Sequence, residues 1–145
     1  MCIWLLRGTS DNAATYAKYL FQIVAGLPAG LAAPSVHTLY EAEVDFRGAL
    51  VIGVSQSGAG VDINEVITRA RQSGALTVGV TNTPGSGLEQ AAEFTLHCNA
   101  EPERAVAATK TYTTSLAVLA ALVAEVADYA PLKAGLARVG ELAAD

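Results

Sequence analysis

Three apolar runs of strand length constrain what this chain can fold into. Residues 2–6 (CIWLL), 49–54 (ALVIGV) and 76–81 (LTVGVT) are near-continuous and broken only by small or β-branched residues. A strand with one wet face alternates apolar and polar side chains, whereas a strand covered on both faces does not need to. Between the runs lie stretches of helical period. Residues 11–24 place Ala14, Tyr16 or Ala17, Leu20, Phe21 and Val24 at helical spacing, with Ser10 or Asp11 as N-cap and Gly26 and Pro28 as the stop. Residues 62–73 form a second helix closed by Gly74, 88–92 a short one, 109–127 a long one, and a last helix runs from Pro131 toward the end. Residues 31–33 add a weak strand and 94–97 a short one, and 82–87 (NTPGSG) is turn chemistry throughout.

Buried strands separated by helices predict βαβ units. The expected fold is α/β: a doubly wound, five-stranded parallel sheet of flavodoxin-like order 2-1-3-4-5, with helices on both faces in three α/β/α layers. In that order strands 1 and 3 meet at the switch point, where open α/β sheets bind ligands beyond the carboxyl ends of their strands.

The 145 residues are 52% hydrophobic and 16% charged, which suits one domain with a real core and excludes disorder. A net charge of −5 without a basic run argues against nucleic-acid binding, so a bound anion must be held locally. Cys2 and Cys98 lack metal spacing and read as reduced, buried thiols. The apolar runs at 2–6 and 115–126 are too short for a signal peptide or a membrane span, which points to the cytoplasm. No cofactor and no metal are expected.

The chemistry-bearing segment is Ser55-Gln56-Ser57-Gly58. It leaves a buried strand and enters a helix, whose first N–H groups and partial positive charge attract anions. Serine hydroxyls add donors that can wrap a phosphate, and Gly58 lets the backbone come close. The plainer reading is a serine-rich turn that caps its helix. The segment lacks the Gly-Lys-Ser/Thr ending of a triphosphate loop, and no G-x-G-x-x-G follows residues 2–6, which argues against a dinucleotide. A second hydroxyl-rich turn, Gly8-Thr9-Ser10, ends the first strand beside this loop. Two such turns converging suit a small polyhydroxylated anion, a phosphorylated sugar, with Thr9 and Ser10 toward its hydroxyls. Ser10 also reads as an ordinary N-cap.

A third segment opens the long helix. Small residues around Val106 and Ala107 permit close approach of a ligand, and Lys110 either faces the anion or is solvated or paired with a carboxylate. Thr109, Thr111, Thr113 and Thr114 are unusual on a helix, because β-branched residues are mediocre helix formers. His97 reads as structural, His37 as an exposed surface residue, and Glu41, Glu43 and Asp45 as a solvated acidic cluster. No serine-histidine-aspartate set, carboxylate pair or metal-ligand spacing can be identified, so no catalytic base is assigned.

Taken together, R-G-T-S at 7–10, S-Q-S-G at 55–58 and V-A-A-T-K-T-Y-T at 106–113 resemble the sugar isomerase (SIS) domain family. The likeness is to the first SIS domain of the isomerase half of glucosamine-6-phosphate synthase and its shorter tandem-SIS relatives. N-T-P-G-S at 82–86 is similar to that family's N-x-P-x-S turn. The resemblance implies that Ser55, Gln56 and Ser57 bind a sugar phosphate, that Thr9 and Ser10 contact the sugar, and that the backbone near Val106 lines it. Where the family commonly has Glu-Thr after S-Q-S-G, this chain has Ala59 and Gly60, so a phosphate-binding hydroxyl is missing. Ala108 stands where the family often has Ser.

The resemblance makes residues 1–130 the SIS phosphosugar-binding domain and 131–145 a C-terminal helix leading toward a second domain. Both ends read as cuts through a larger protein, the alternative being a compact, self-sufficient minimal domain. In the synthase-like isomerases a Glu, a His and a Lys that open the ring and move the proton belong to the second SIS domain and the tail. This chain is then half of a sugar-phosphate isomerase or isomerising aminotransferase, and its expected partners are a phosphosugar and a second SIS domain or a second copy, with no nucleic acid and no membrane. The alternative is a non-catalytic phosphosugar-sensing module, against which no helix-turn-helix segment or basic face is present. A flavin or response-regulator module lacks the acidic and aromatic features it needs.

Overall fold

The computed structural model describes residues 3–7, 11–101 and 109–142, so the expectations at Cys2, Gly8, Thr9, Ser10, Val106, Ala107 and Ala108 lie outside the described residues. In chain order the elements are β1 (Ile3–Arg7), α1 (Asp11–Ile23), β2 (Ala29–Ala32), α2 (Pro34–Thr38), β3 (Leu50–Val54), α3 (Val61–Gln72), β4 (Leu76–Thr81), α4 (Gly87–Ala91), β5 (Phe94–His97), α5 (Thr109–Val126) and α6 (Ala130–Leu142). The strands form one sheet in the order β2-β1-β3-β4-β5, and every pair is parallel. Helices cover both faces, giving the three-layer α/β/α arrangement that the apolar runs demand.

β3 shows why its sequence does not alternate. All five of its residues are buried. Leu50, Ile52 and Val54 point into a core under α1 and α5 with Ala13, Ala17, Phe21, Leu119 and Val123. Val51 points the other way, into a core with Phe46, Ile63, Val66, Ile67 and Leu88 under α3 and α4. Each fully buried aliphatic side chain contributes about 1.5–3 kcal/mol, so the strand is held from both sides. On the α4 side, Gly53 and Gly79 are register partners in neighbouring strands. A Cβ on Gly53 would lie 3.0 Å from Leu88 Cδ1, and one on Gly79 would lie 3.0 Å from Leu88 Cγ. The paired glycines form a shallow notch that Leu88 fills with no exposure.

Local chemistry fixes the helix ends. α3 stops at a Schellman motif: Gly74 has φ +89°, its N–H donates to the Arg71 carbonyl (3.1 Å), and the Ala75 N–H donates to that of Ala70 (3.0 Å). The hydroxyl-rich start of α5 turns its side chains onto the helix's own carbonyls: Thr113 donates to the Thr109 carbonyl (2.9 Å), Thr114 to that of Lys110 (3.0 Å) and Ser115 to that of Thr111 (2.7 Å).

α2 was not expected, and with it the expectation for His37 is corrected. Pro34 starts this short helix in its first turn, where the missing N–H costs nothing. The turn swings His37 inward onto Phe46, with ring centroids 5.3 Å apart, and leaves it 3% exposed rather than on the surface. Cys98 is buried and unpaired, with its sulfur 3.3 Å from Ser115 Oγ. Among the described residues no helix is long and apolar enough to cross a membrane.

Candidate functional site

β3 delivers the 55–58 loop to the carboxyl edge of the sheet. Ser55 prolongs the β3–β4 ladder by donating its N–H to the Val80 carbonyl (3.0 Å). The chain then reverses at Gly58, whose φ of +61° is a left-handed conformation that favours glycine. A side chain at Gly58 would also collide with Ser86.

Two of the loop's carbonyls, those of Gln56 and Gly58, are committed to one side. The Gln56 carbonyl accepts from the Asn82 N–H (3.0 Å), Thr81 Oγ1 (3.1 Å) and Thr83 Oγ1 (3.3 Å). The Gly58 carbonyl accepts from the Leu88 N–H (2.9 Å) and Asn64 Nδ2 (3.1 Å). Ser86 and Glu89 hold the start of α4 where these donors are needed. Ser86 Oγ accepts the Glu89 N–H (3.4 Å), and Glu89 Oε2 accepts the Gly85 N–H (2.6 Å). The result is close to a capping box.

The donors of the loop remain. The N–H groups of Gln56 and Ser57 donate to no group among the described residues. Ser55 Oγ accepts the Gly58 N–H (3.2 Å) and Ser57 Oγ accepts the Ala59 N–H (3.3 Å), so each hydroxyl keeps its own proton to give. Ser55 is buried, Gln56 half-buried and Ser57 exposed. Gly60 is the N-cap of α3 and makes no side-chain cap bond, so the first turn of that helix lacks a side-chain acceptor. Such a cluster of N–H and O–H donors at a helix start suits an anion. Asp62, exposed in the first turn of α3, is the charge that opposes one.

Other singled-out residues fall around this edge. β1 and β3 leave the sheet in register, with Arg7 opposite Val54. Lys110 is exposed at the start of α5 and pairs with a carboxylate, its Nζ 3.3 Å from Glu101 Oε2. Both line a cavity of about 450 Å³ with Ala100, Thr109, Thr113 and Thr114. Asn82 fixes Ala100 at its rim, accepting the Ala100 N–H (2.8 Å) and donating to the Ala100 carbonyl (3.1 Å). Asn82 thus serves both that cavity and, through its own N–H, the Gln56 carbonyl.

His37 lines a separate, mostly apolar cavity of about 310 Å³ with Leu31, Val36, Val44 and Phe46. Burial, and after it the Arg69 guanidinium, push its pKa below the usual histidine value, against smaller opposing effects of the Ala42 carbonyl and Glu65. His97 lies in β5 with Nε2 3.5 Å from Glu89 Oε1. In the acidic segment Asp45 pairs with Arg47, whose guanidinium and backbone N–H hold that carboxyl down at about 2. Among the described residues no three His, Cys, Asp or Glu side chains stand together as a metal site.

Sequence reasoning located the serine loop but missed Thr81, Asn64 and Ser86, which orient it. The spacing of Ser86 and Glu89 signals the cap but not what the cap supports.

Residues 6–125 match the SIS domain family. The chain is 39% identical over 115 residues to the isomerizing glutamine–fructose-6-phosphate aminotransferase of Aquifex aeolicus, covering 79% of this chain and 19% of that protein. It is 37% identical over 138 residues to the same enzyme of Halalkalibacterium halodurans, covering 95% and 23%. The chain therefore spans about a fifth of the length of these relatives. Among solved structures, a chain from Silicibacter pomeroyi assigned as a phosphosugar isomerase superposes with a TM-score of 0.91 at 37% identity, over 97% of this chain and 43% of that one. The C-terminal domain of glucosamine-fructose-6-phosphate aminotransferase from Francisella tularensis gives 0.83 at 25% identity, over 99% and 42%.

Proposed function

The chain belongs to the SIS domain family, and from that premise we propose that it binds a hexose phosphate through the 55–58 loop as one half of a sugar-phosphate isomerase or isomerising aminotransferase. One observation carries the reading: beyond the central strand, the Gln56 and Gly58 carbonyls are tied to neighbouring elements while the Gln56 and Ser57 N–H groups and two serine hydroxyls remain as donors. A phosphate monoester carries close to two negative charges at neutral pH and offers three strong acceptors. The loop answers it with oriented dipoles and a helix start rather than with a cation.

In this reading Ser55, Gln56, Ser57 and Gly58 anchor the phosphate. Gly8, Thr9, Ser10, Val106, Ala107 and Lys110 are proposed around the sugar. The anchor contributes by orientation, holding C1 and C2 of the open-chain sugar where a base can move a proton between them through an enediol or imine. The base comes from a second domain or another subunit. The proposed setting is the cytoplasm, and the proposed partner is a second SIS domain or a second copy of this chain.

Thermal denaturation tests the anchor. Fructose 6-phosphate and glucosamine 6-phosphate raise the melting temperature more than the unphosphorylated sugars do, and Ser57→Ala reduces that difference. Equal shifts with sugar and sugar phosphate defeat the assignment.

A further inference from the structure

We propose that Thr81 is a positioning residue for this loop: it reaches no ligand, but it sets the direction of the N–H that meets the phosphate. The inference rests on the reading of the 55–58 loop as a phosphate anchor.

The argument begins with the peptide plane. In a trans peptide the carbonyl of one residue and the N–H of the next point in opposite directions. Tying the Gln56 carbonyl down therefore aims the Ser57 N–H. Of the three donors on that carbonyl, the Asn82 N–H (3.0 Å) comes from the backbone just after β4 and the Thr83 hydroxyl (3.3 Å) from an exposed residue. The Thr81 hydroxyl (3.1 Å) comes from a side chain with no exposure at all. It also accepts the Thr83 N–H (3.2 Å), so its proton is committed to Gln56 and its rotor is fixed. A fully satisfied hydroxyl shielded from water makes a stronger tie than an exposed one. Without it, the Gln56 peptide can rock toward the ligand, presenting an oxygen where the phosphate needs a donor.

Thr81→Val removes the hydroxyl at nearly constant volume, and Thr81→Ser restores it. Affinity for fructose 6-phosphate is measured by calorimetry, and the position of the Ser57 amide by ¹⁵N–¹H spectroscopy without ligand. Thr81→Val binds about tenfold more weakly, the loss expected for one shielded hydrogen bond. Its Ser57 amide resonance moves in the ligand-free protein, and Thr81→Ser recovers both. A merely structural threonine lowers the melting temperature and leaves affinity and amide unchanged, which overturns the proposal. If Thr81→Val does not fold, Thr81→Ala removes the same hydroxyl without adding a methyl group; weaker binding with a moved Ser57 amide supports the proposal, and wild-type binding and amide position overturn it. If the wild-type protein itself binds no sugar phosphate, the anchor reading falls and this inference with it. Wild-type binding that neither variant disturbs overturns only the inference.

Discussion

Gly58 and Asp62 set opposite limits on the proposed anion loop. At Gly58 a side chain meets two obstacles, the left-handed backbone and the Ser86 side chain. Gly58→Ala is therefore expected to cost on the order of 2 kcal/mol of stability and to weaken phosphate binding by moving the carbonyl that Leu88 and Asn64 hold. Chemical denaturation and ligand titration measure the two effects, and an alanine variant of wild-type stability contradicts the clash. Asp62 acts through charge. In the first turn of α3, whose N-cap Gly60 makes no side-chain bond, its carboxylate favours the helix dipole and repels an anion placed there. Asp62→Asn is expected to tighten fructose 6-phosphate binding a few-fold, by about the 0.3–1 kcal/mol typical of one charge at a helix end, and to lower the melting temperature slightly. Unchanged affinity places the phosphate away from this helix start.

Among the elements, α2 carries the pH dependence. His37 is buried against Phe46 with its pKa lowered chiefly by desolvation and then by Arg69. In the unfolded chain the ring takes up a proton as pH falls through about 6.5, while the folded chain resists until lower pH. The stability tied to the neutral ring is thus complete above about 6.5, declines as pH drops below it, and levels off once the folded value is passed. Melting temperature followed from neutral to mildly acidic pH should fall more steeply for the wild type than for His37→Gln, and equal slopes contradict the assignment. The strands were legible in the sequence because runs such as 49–54 have one reading at that length. α2 was not: five residues carry no period, and Pro34 reads as easily as a loop. The serine loop was legible from its residue types. Its orientation was not, because the ties run to the backbone carbonyls of Gln56 and Gly58, which every residue has, and the donors Asn64, Thr81 and Thr83 are chosen by the tertiary fold.

Taken whole, the molecule supports the half-site reading through the surfaces it leaves exposed. Tyr16, Tyr19 and Ile23 share a stripe along α1 and are 36, 55 and 76% exposed. α6 packs on α5, and none of its described side chains is buried. Thirteen residues of helix are marginal in water unless a neighbour covers a face. The chain alone is expected to self-associate in sedimentation and to show no turnover of fructose 6-phosphate or glucosamine 6-phosphate. Robust turnover by purified monomer refutes the claim that the base lies elsewhere.

The notch at Gly53 and Gly79 reaches further than packing. Because two neighbouring strands each lack a methyl group there, Leu88 sinks to the sheet surface and draws the first turn of α4 down with it. That descent brings the Leu88 amide within 2.9 Å of the Gly58 oxygen. Two missing methyl groups in the dry middle of the protein thereby help set the loop proposed to grip a ligand at its wet rim, and adding them back is expected to loosen a site they never touch.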